Sequence, residues 1–234
     1  MRCNTCNEEA IVFQDYSGKY LCKRHFVQDL EAKAKHAIRL NRWIQHGDNI
    51  GVAMNGSSES GALLYFLHKT FAKRRDIRLS AIVYKDCPET AVSFKNAQQF
   101  DIPVINISCA QMPGQTTRPE GLTKIAYPNT LDDEALGVFK AILLGVPERI
   151  FNPVPFAPDT PTPVISPFAG VPAAEVRIYA DIHHVEYLPQ EKRGESSLLK
   201  AALDDYTSRH PATKFSIKHL GESIKALEAS HHGA

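Results

Sequence analysis

Apolar positions along the chain fall into short blocks of changing period, and each block predicts an element. Ile11-Val12-Phe13 and Tyr20-Leu21 flank Tyr16-Ser17-Gly18-Lys19, which reads as a small hairpin closed by a Ser-Gly turn. Phe26, Leu30, Ala34, Ala37, Ile38 and Trp43 recur at helical spacing and predict a helix over 26–46. Residues 50–145 then alternate. Ile50–Met54 reads as a buried strand, and a Gly/Ser-rich turn leads into a helix with Leu63, Leu64, Phe66, Leu67 and Phe71 on its apolar side. Leu79–Tyr84 predicts a second strand, 89–100 a helix, Pro103–Ile107 a third strand, Lys124–Ala126 a fourth, and 131–144 another apolar helix. This alternation is the pattern of an α/β fold, a parallel sheet covered on both faces.

The rhythm breaks at 146–172. Eight of the 15 prolines fall there (147, 153, 155, 158, 161, 163, 167 and 172), so the stretch reads as a rigid, extended connection. The tail from 173 to 228 predicts two or three helices. The expected organisation is a metal module at 1–26, a connecting basic helix at 27–46, an α/β nucleotide-binding domain at 47–172 and a helical region at 173–234.

Composition narrows the classes. The chain has 234 residues, 43% hydrophobic and 23% charged, which suits a globular protein and is too apolar for a disordered one. The net charge is +1, so any affinity for nucleic acid must come from a local patch. No apolar run approaches the roughly 18 residues of a membrane span. MRCNTCNEEA offers no secretory signal, and the expectation is a cytoplasmic protein.

Three of the five cysteines lie in the first 22 residues. Cys3-x2-Cys6 and Cys22-x2-His25 stand at opposite ends of the hairpin, separated by 15 residues. Three thiolates and one imidazole suit tetrahedral zinc and leave no position for water, which predicts a structural site. Just beyond it, Lys23, Arg24, Lys33, Lys35, Arg39 and Arg42 make a basic helix that either binds phosphates or is simply a solvated face.

Ile50–Leu64 reads IGVAMNGSSESGALL. Small residues between a buried strand and a helix N-terminus direct amides at one spot and favour an anion, which makes Ala53, Met54, Asn55, Gly56, Ser57, Ser58, Glu59 and Ser60 the candidate ligand-binding residues. It is not a Walker A loop, and the alternative is a Ser/Gly helix cap with no ligand.

The loop Asn55–Ser60 resembles the SGG-x-D-S loop of PP-loop ATP pyrophosphatases, and Asn129-Thr130-Leu131-Asp132-Asp133-Glu134-Ala135 resembles their second signature, T-G-H-N-x-D-D-x-A. The Cys3/Cys6/Cys22/His25 module stands where TtuA-like tRNA 2-thiouridine synthetases place one. Ser166-Pro167-Phe168, Glu175-Val176, Tyr179-Ala180 and His210–Phe215 are similar to the tail of that subfamily. The resemblance runs from residue 1 to about 225. It implies a doubly wound, HUP-like sheet, ATP at the PP-loop with Mg²⁺, adenylation of a tRNA uridine, and sulfur delivery through three cysteines holding an iron–sulfur cluster.

Against that pattern the chain departs. Ser57 replaces a glycine, where a β-carbon is expected to restrict the backbone. Ser58 takes the place of a lysine, and Glu59 of an aspartate. Tyr127-Pro128 precedes Asn129 in place of Gly-His. The C-x-x-C-G segment is shortened to Cys109–Gly114, and Leu188 before Pro189 stands where the resemblance puts the third cysteine. The LEASHHGA end holds no second zinc knuckle. Cys87 and Cys109 form either a substitute pair or two ordinary free thiols. Asp132 and Asp133 read as Mg²⁺ ligands or as favourable charge at a helix start, while His183-His184 and His231-His232 read as surface histidines.

The expectation is therefore a divergent TtuA-like protein. It keeps structural zinc, has adenine nucleotide and tRNA as candidate ligands, and lacks the iron–sulfur cluster. It would act as a pseudoenzyme or regulatory subunit beside an intact partner enzyme or sulfur-carrier protein, or as a homodimer. One alternative is an active ATP-dependent adenylating enzyme acting on tRNA or another carbonyl; the other is a zinc-dependent interaction module with an empty nucleotide cleft.

Overall fold

The computed structural model describes residues 1–85, 87–108, 121–146, 162–189 and 196–231. They form two compact units. One contains Met1–Asp29 and three helices: α4 (Leu131–Leu144), α6 (Ser196–Arg209) and α7 (Thr213–His231). The other contains a five-stranded sheet and its covering helices.

In the first unit, β1 (Val12–Gln14) and β2 (Lys19–Leu21) pair antiparallel, with Val12 opposite Leu21. Gly18 turns the chain at φ +65°, a conformation that glycine adopts without a β-carbon penalty. The hairpin therefore forms as its sequence predicts. Among the helices, Val138 and Ala141 of α4 pack with Ile217 and Ile224 of α7. Gly221 permits that approach, since a β-carbon there would lie 2.5 Å from Val138 Cγ2.

Helix α1 (Lys23–Leu40) stops six residues short of the predicted end. Trp43 N–H donates to the Ile38 carbonyl and Arg42 N–H to the Arg39 carbonyl, with Arg42 at φ +50°. That is a Schellman closure built on a non-glycine residue, which hydrophobic periodicity cannot reveal.

The sheet of the second unit runs β5-β4-β3-β6-β7, all parallel. Its strands are β3 (Asn49–Met54), β4 (Arg78–Lys85), β5 (Val104–Ser108), β6 (Lys124–Ala126) and β7 (Val164–Ile165). Strand order reverses between β3 and β6, so the fold is doubly wound, and that switch point is where open α/β sheets place ligands. Strand β7 corrects the sequence reading: Val164–Ile165, inside the proline-rich stretch, adds a fifth strand beside β6. A two-residue strand among prolines carries no period to detect. The rest of that stretch, 147–161, lies outside the described residues.

Helix α2 (Ser58–Phe71) buries Leu63, Leu64, Phe66 and Leu67 completely, each worth about 1.5–3 kcal/mol of burial. It packs with α5 (Ala173–Ile182), where Phe66, Phe168 and Tyr179 make a ring cluster. The remaining helix, α3 (Thr90–Gln99), lies against β4. His183 is corrected as well. It is not a surface histidine, because its ring stacks on Tyr65 at 4.2 Å and meets Tyr179 edge-on at 4.6 Å. His184 is exposed, and His232 lies outside the described residues.

Candidate metal centre and nucleotide loop

The hairpin brings its four ligands together. Cys6 Sγ and Cys22 Sγ are 3.6 Å apart, and His25 Nδ1 lies 3.5 Å from Cys3 Sγ and 3.3 Å from Cys22 Sγ. All four donor atoms sit within 4.8 Å of one another. A tetrahedral zinc with bonds of about 2.0–2.3 Å needs ligand atoms roughly 3.5–3.8 Å apart, so the donor set and spacing fit. Cys3 is buried, which opposes ionisation. Backbone amides of Cys22, Thr5 and Cys6 outweigh this and lower its thiol to about 6, whereas the Cys22 thiol is raised to about 11, the His25 amide being outweighed by Glu8, burial and the neighbouring cysteines.

The candidate nucleotide loop leaves the carboxyl end of β3. Gly56 adopts φ +72°, and a β-carbon there would stand 2.5 Å from Glu89 Cβ. Glycine is thus required twice over at this position. Ser57 is the N-cap of α2 in ordinary extended backbone, φ −79° and ψ 162°. The expected restriction at Ser57 therefore does not arise; the left-handed residue is its neighbour. Ser57 Oγ accepts from Ser60 N–H at 3.2 Å, and Ser57 N–H donates to Asn55 Oδ1 at 3.2 Å. Ser60 Oγ donates to the Ser57 carbonyl at 2.9 Å. The amides of Ser57 and Ser60 are therefore spent within the loop. What remains for an anion is the positive end of α2, with Ser58 buried and Glu59 half-buried in its first turn. Glu59 feels the charge of Arg177. Ala53 and Met54 are buried strand residues behind the loop.

Leu188 closes one side of this loop. Its N–H donates to the Gly56 carbonyl at 2.9 Å. The segment carrying it is clamped by Asn96, whose Nδ2 donates to the Glu186 carbonyl and whose Oδ1 accepts from Glu186 N–H. Cys87 stands two residues before Glu89. It is disulfide-bonded, so it is not the ordinary free thiol of the sequence reading. Cys109 lies outside the described residues.

Asp132 and Asp133 open α4. Asp132 accepts from Lys214 Nζ at 2.6 Å, and the same ammonium reaches Asp204 at 2.5 Å. Burial opposes the charge on Lys214, but the two carboxylates raise its pKa. Asp132 thus has a structural partner within its own unit.

The basic helix divides. Lys33 pairs with Glu175 at 3.8 Å, and Lys35 with Glu31 at 3.1 Å, whereas Lys23, Arg24, Arg39 and Arg42 are exposed. Glu31 was missed in the sequence, though a carboxylate beside the apolar stripe of α1 is a usable signal. It accepts from Lys69 at 2.5 Å, from Lys35 and from the Tyr179 hydroxyl at 3.0 Å. Burial opposes its ionisation, yet these three donors hold it below the ordinary carboxylate value.

The fold and its sites define a doubly wound α/β protein with a Gly/Ser loop at the switch point and an N-terminal Cys3His module. A family described as "2-thiouridine synthetase TtuA, N-terminal LIM domain" matches residues 2–27. The chain is 24% identical to the tRNA-5-methyluridine(54) 2-sulfurtransferase of Thermus thermophilus, covering 92% of this chain and 77% of that protein. It is also 24% identical to the tRNA 2-thiolation protein NcsA of Haloferax volcanii, over 99% of this chain and 89% of the relative. Among solved structures, the U34-tRNA thiolase NcsA from Methanococcus maripaludis, with its [4Fe-4S] cluster, superposes with a TM-score of 0.81 at 18% identity, over 96% of this chain and 88% of that one. The chain is therefore similar over most of its length to tRNA thiolation proteins of the TtuA/NcsA kind, and its N-terminal module matches that of TtuA.

Proposed function

We propose that this chain binds adenine nucleotide with Mg²⁺ at the Asn55–Ser60 loop and tRNA at its surface, without carrying out iron–sulfur-dependent thiolation. It serves as a binding or regulatory member of its family. The observation that carries this reading is Leu188 seated on the nucleotide loop by its bond to the Gly56 carbonyl. By resemblance that position belongs to a cluster cysteine, and an isobutyl side chain offers neither a thiolate ligand nor a sulfur carrier. Cysteine count supports it. Five are present, three of them gathered in the metal module, and Cys87 is disulfide-bonded. Outside the metal module only Cys87 and Cys109 remain, fewer than the three cysteines that the resemblance assigns to the cluster, which supports the reading.

The module residues Cys3, Cys6, Cys22 and His25 would hold zinc as a structural ion, coupling metal binding to the folding of the hairpin. At the loop, the α2 dipole attracts phosphate, but Ser58 supplies no cation and two amides are spent internally. Nucleotide affinity is therefore expected in the micromolar range or weaker. Titration calorimetry with ATP·Mg²⁺ and filter binding of bulk tRNA test the two binding claims. Measurable heat with ATP·Mg²⁺ supports the nucleotide site; no heat at millimolar ATP would contradict it and leave the empty-cleft interaction module.

A further inference from the structure

The amino-terminal edge of the sheet, opposite the nucleotide loop, carries a concentration of cations that the candidate sites do not use. Lys35 on α1 and Lys69 on α2 reach the same Glu31 carboxylate, so the two helices run side by side there. Arg39 lies four residues beyond Lys35, about 6 Å further along α1, and Lys73 follows the end of α2 at Phe71. The loops that follow meet: Gly47 N–H donates to the Asp76 carbonyl, and Arg78 N–H to the Asp48 carbonyl. These contacts bring Arg39, Arg42, Lys73, Arg74, Arg75 and Arg78 to one edge, all exposed.

Counter-charge at this edge is sparse. Arg74 pairs with Asp76. Among the described residues no ion pair engages Arg39, Arg42, Lys73, Arg75 or Arg78. Asp48 is buried and already bound by Lys124 at 2.6 Å. Asp101, before β5, is a further exposed acid near this edge among the described residues. A chain whose net charge is +1 thus gathers six of its 27 lysines and arginines on one rim, a local patch that attracts a polyanion at long range. Arginine dominates the set, and its guanidinium forks match phosphate oxygens. Leu40 is the one large apolar residue exposed within this group, too little to anchor in a bilayer.

We propose that this rim is a docking surface for the phosphodiester backbone of RNA. It lies about 20 Å, the length of the six-residue strand β3, from the nucleotide loop. RNA held here is anchored at a distance from the loop, which separates recognition from nucleotide binding. The proposal rests on the tRNA-binding part of the proposed function and assigns that binding to a surface.

The test is filter binding of bulk tRNA to the full chain across a salt series, comparing the unaltered protein with Lys73→Glu/Arg75→Glu/Arg78→Glu and with the milder Lys73→Gln/Arg75→Gln/Arg78→Gln. Losing three phosphate contacts should weaken binding at least tenfold near 0.1 M salt and flatten the log–log salt slope by about 2. The glutamine set should give a smaller loss in the same direction, with the thermal transition and ATP·Mg²⁺ heat unchanged in both. Unchanged affinity and slope in both variants would overturn the docking surface while tRNA binding itself stood. No tRNA binding by the unaltered chain would overturn both. Retention on anionic vesicles without tRNA binding would also overturn it.

Discussion

The Leu188 N–H donates to the Gly56 carbonyl at 2.9 Å, tying the segment after α5 to the glycine of the nucleotide loop. A β-carbon added to Gly56 would also come within 3.6 Å of the Leu188 Cδ1. One glycine thus holds a left-handed turn, packs on Glu89 and accepts the bond that positions Leu188. Gly56→Ala should lower stability by about 2–4 kcal/mol, through left-handed strain and the clash with Glu89. Denaturant melts check this. A loss under 0.5 kcal/mol would show that the loop relaxes freely.

Glu31 supplies a pH test. Its pKa is lowered in the folded chain, against burial, by Lys69, Lys35 and Tyr179. A lowered carboxylate contributes stability that is fully present above its ordinary value of about 4.5 and is lost as pH falls through the folded value. Glu31→Gln should therefore cost about 1–2 kcal/mol at pH 7, a figure discounted because both lysines are partly exposed. The gap to the unaltered protein should shrink on acidification below 4.5. Stability curves at pH 7 and pH 4 measure it, and a gap that widened in acid would contradict the assignment.

For the metal module, Cys22→Ser removes one of the four donors gathered within 4.8 Å. Metal analysis should find about one zinc per chain in the unaltered protein and none in the variant, with the hairpin unfolded. Equal metal content in both would refute the ligand set.

Asp132 separates a structural from a metal-binding role. Its 2.6 Å bond to Lys214 predicts that Asp132→Asn costs about 1–2 kcal/mol, because a largely buried ammonium loses one of two carboxylates. If that is its whole role, the Mg²⁺ dependence of ATP binding stays as it was. A selective loss of that dependence at unchanged stability would instead make Asp132 a Mg²⁺ ligand.

The legible parts of this molecule are those whose partners lie close in sequence. The Cys3/Cys6/Cys22/His25 cluster was readable because each pair is two residues apart and one hairpin joins them. Strands β3 to β6 were readable because each is announced by a short run carrying two to five apolar residues. Long-range polar partners were not. Glu31 finds Tyr179 across 148 positions and Asp132 finds Lys214 across 82, and neither pairing leaves a local pattern. His183 looked like a surface residue because Tyr65, on which it stacks, comes from another helix. The likeness of Leu188 to a family cysteine position could be read from sequence, but its contact with Gly56 could not.

The central claim is nucleotide binding without thiolation chemistry. Pyrophosphate release from ATP·Mg²⁺, measured with the full chain in the presence of bulk tRNA and a sulfur donor, tests it most directly. Release should be no faster than from ATP·Mg²⁺ alone, beside measurable ATP binding by the same sample. Release that rises with both protein and tRNA would contradict it and make the chain an active adenylating enzyme.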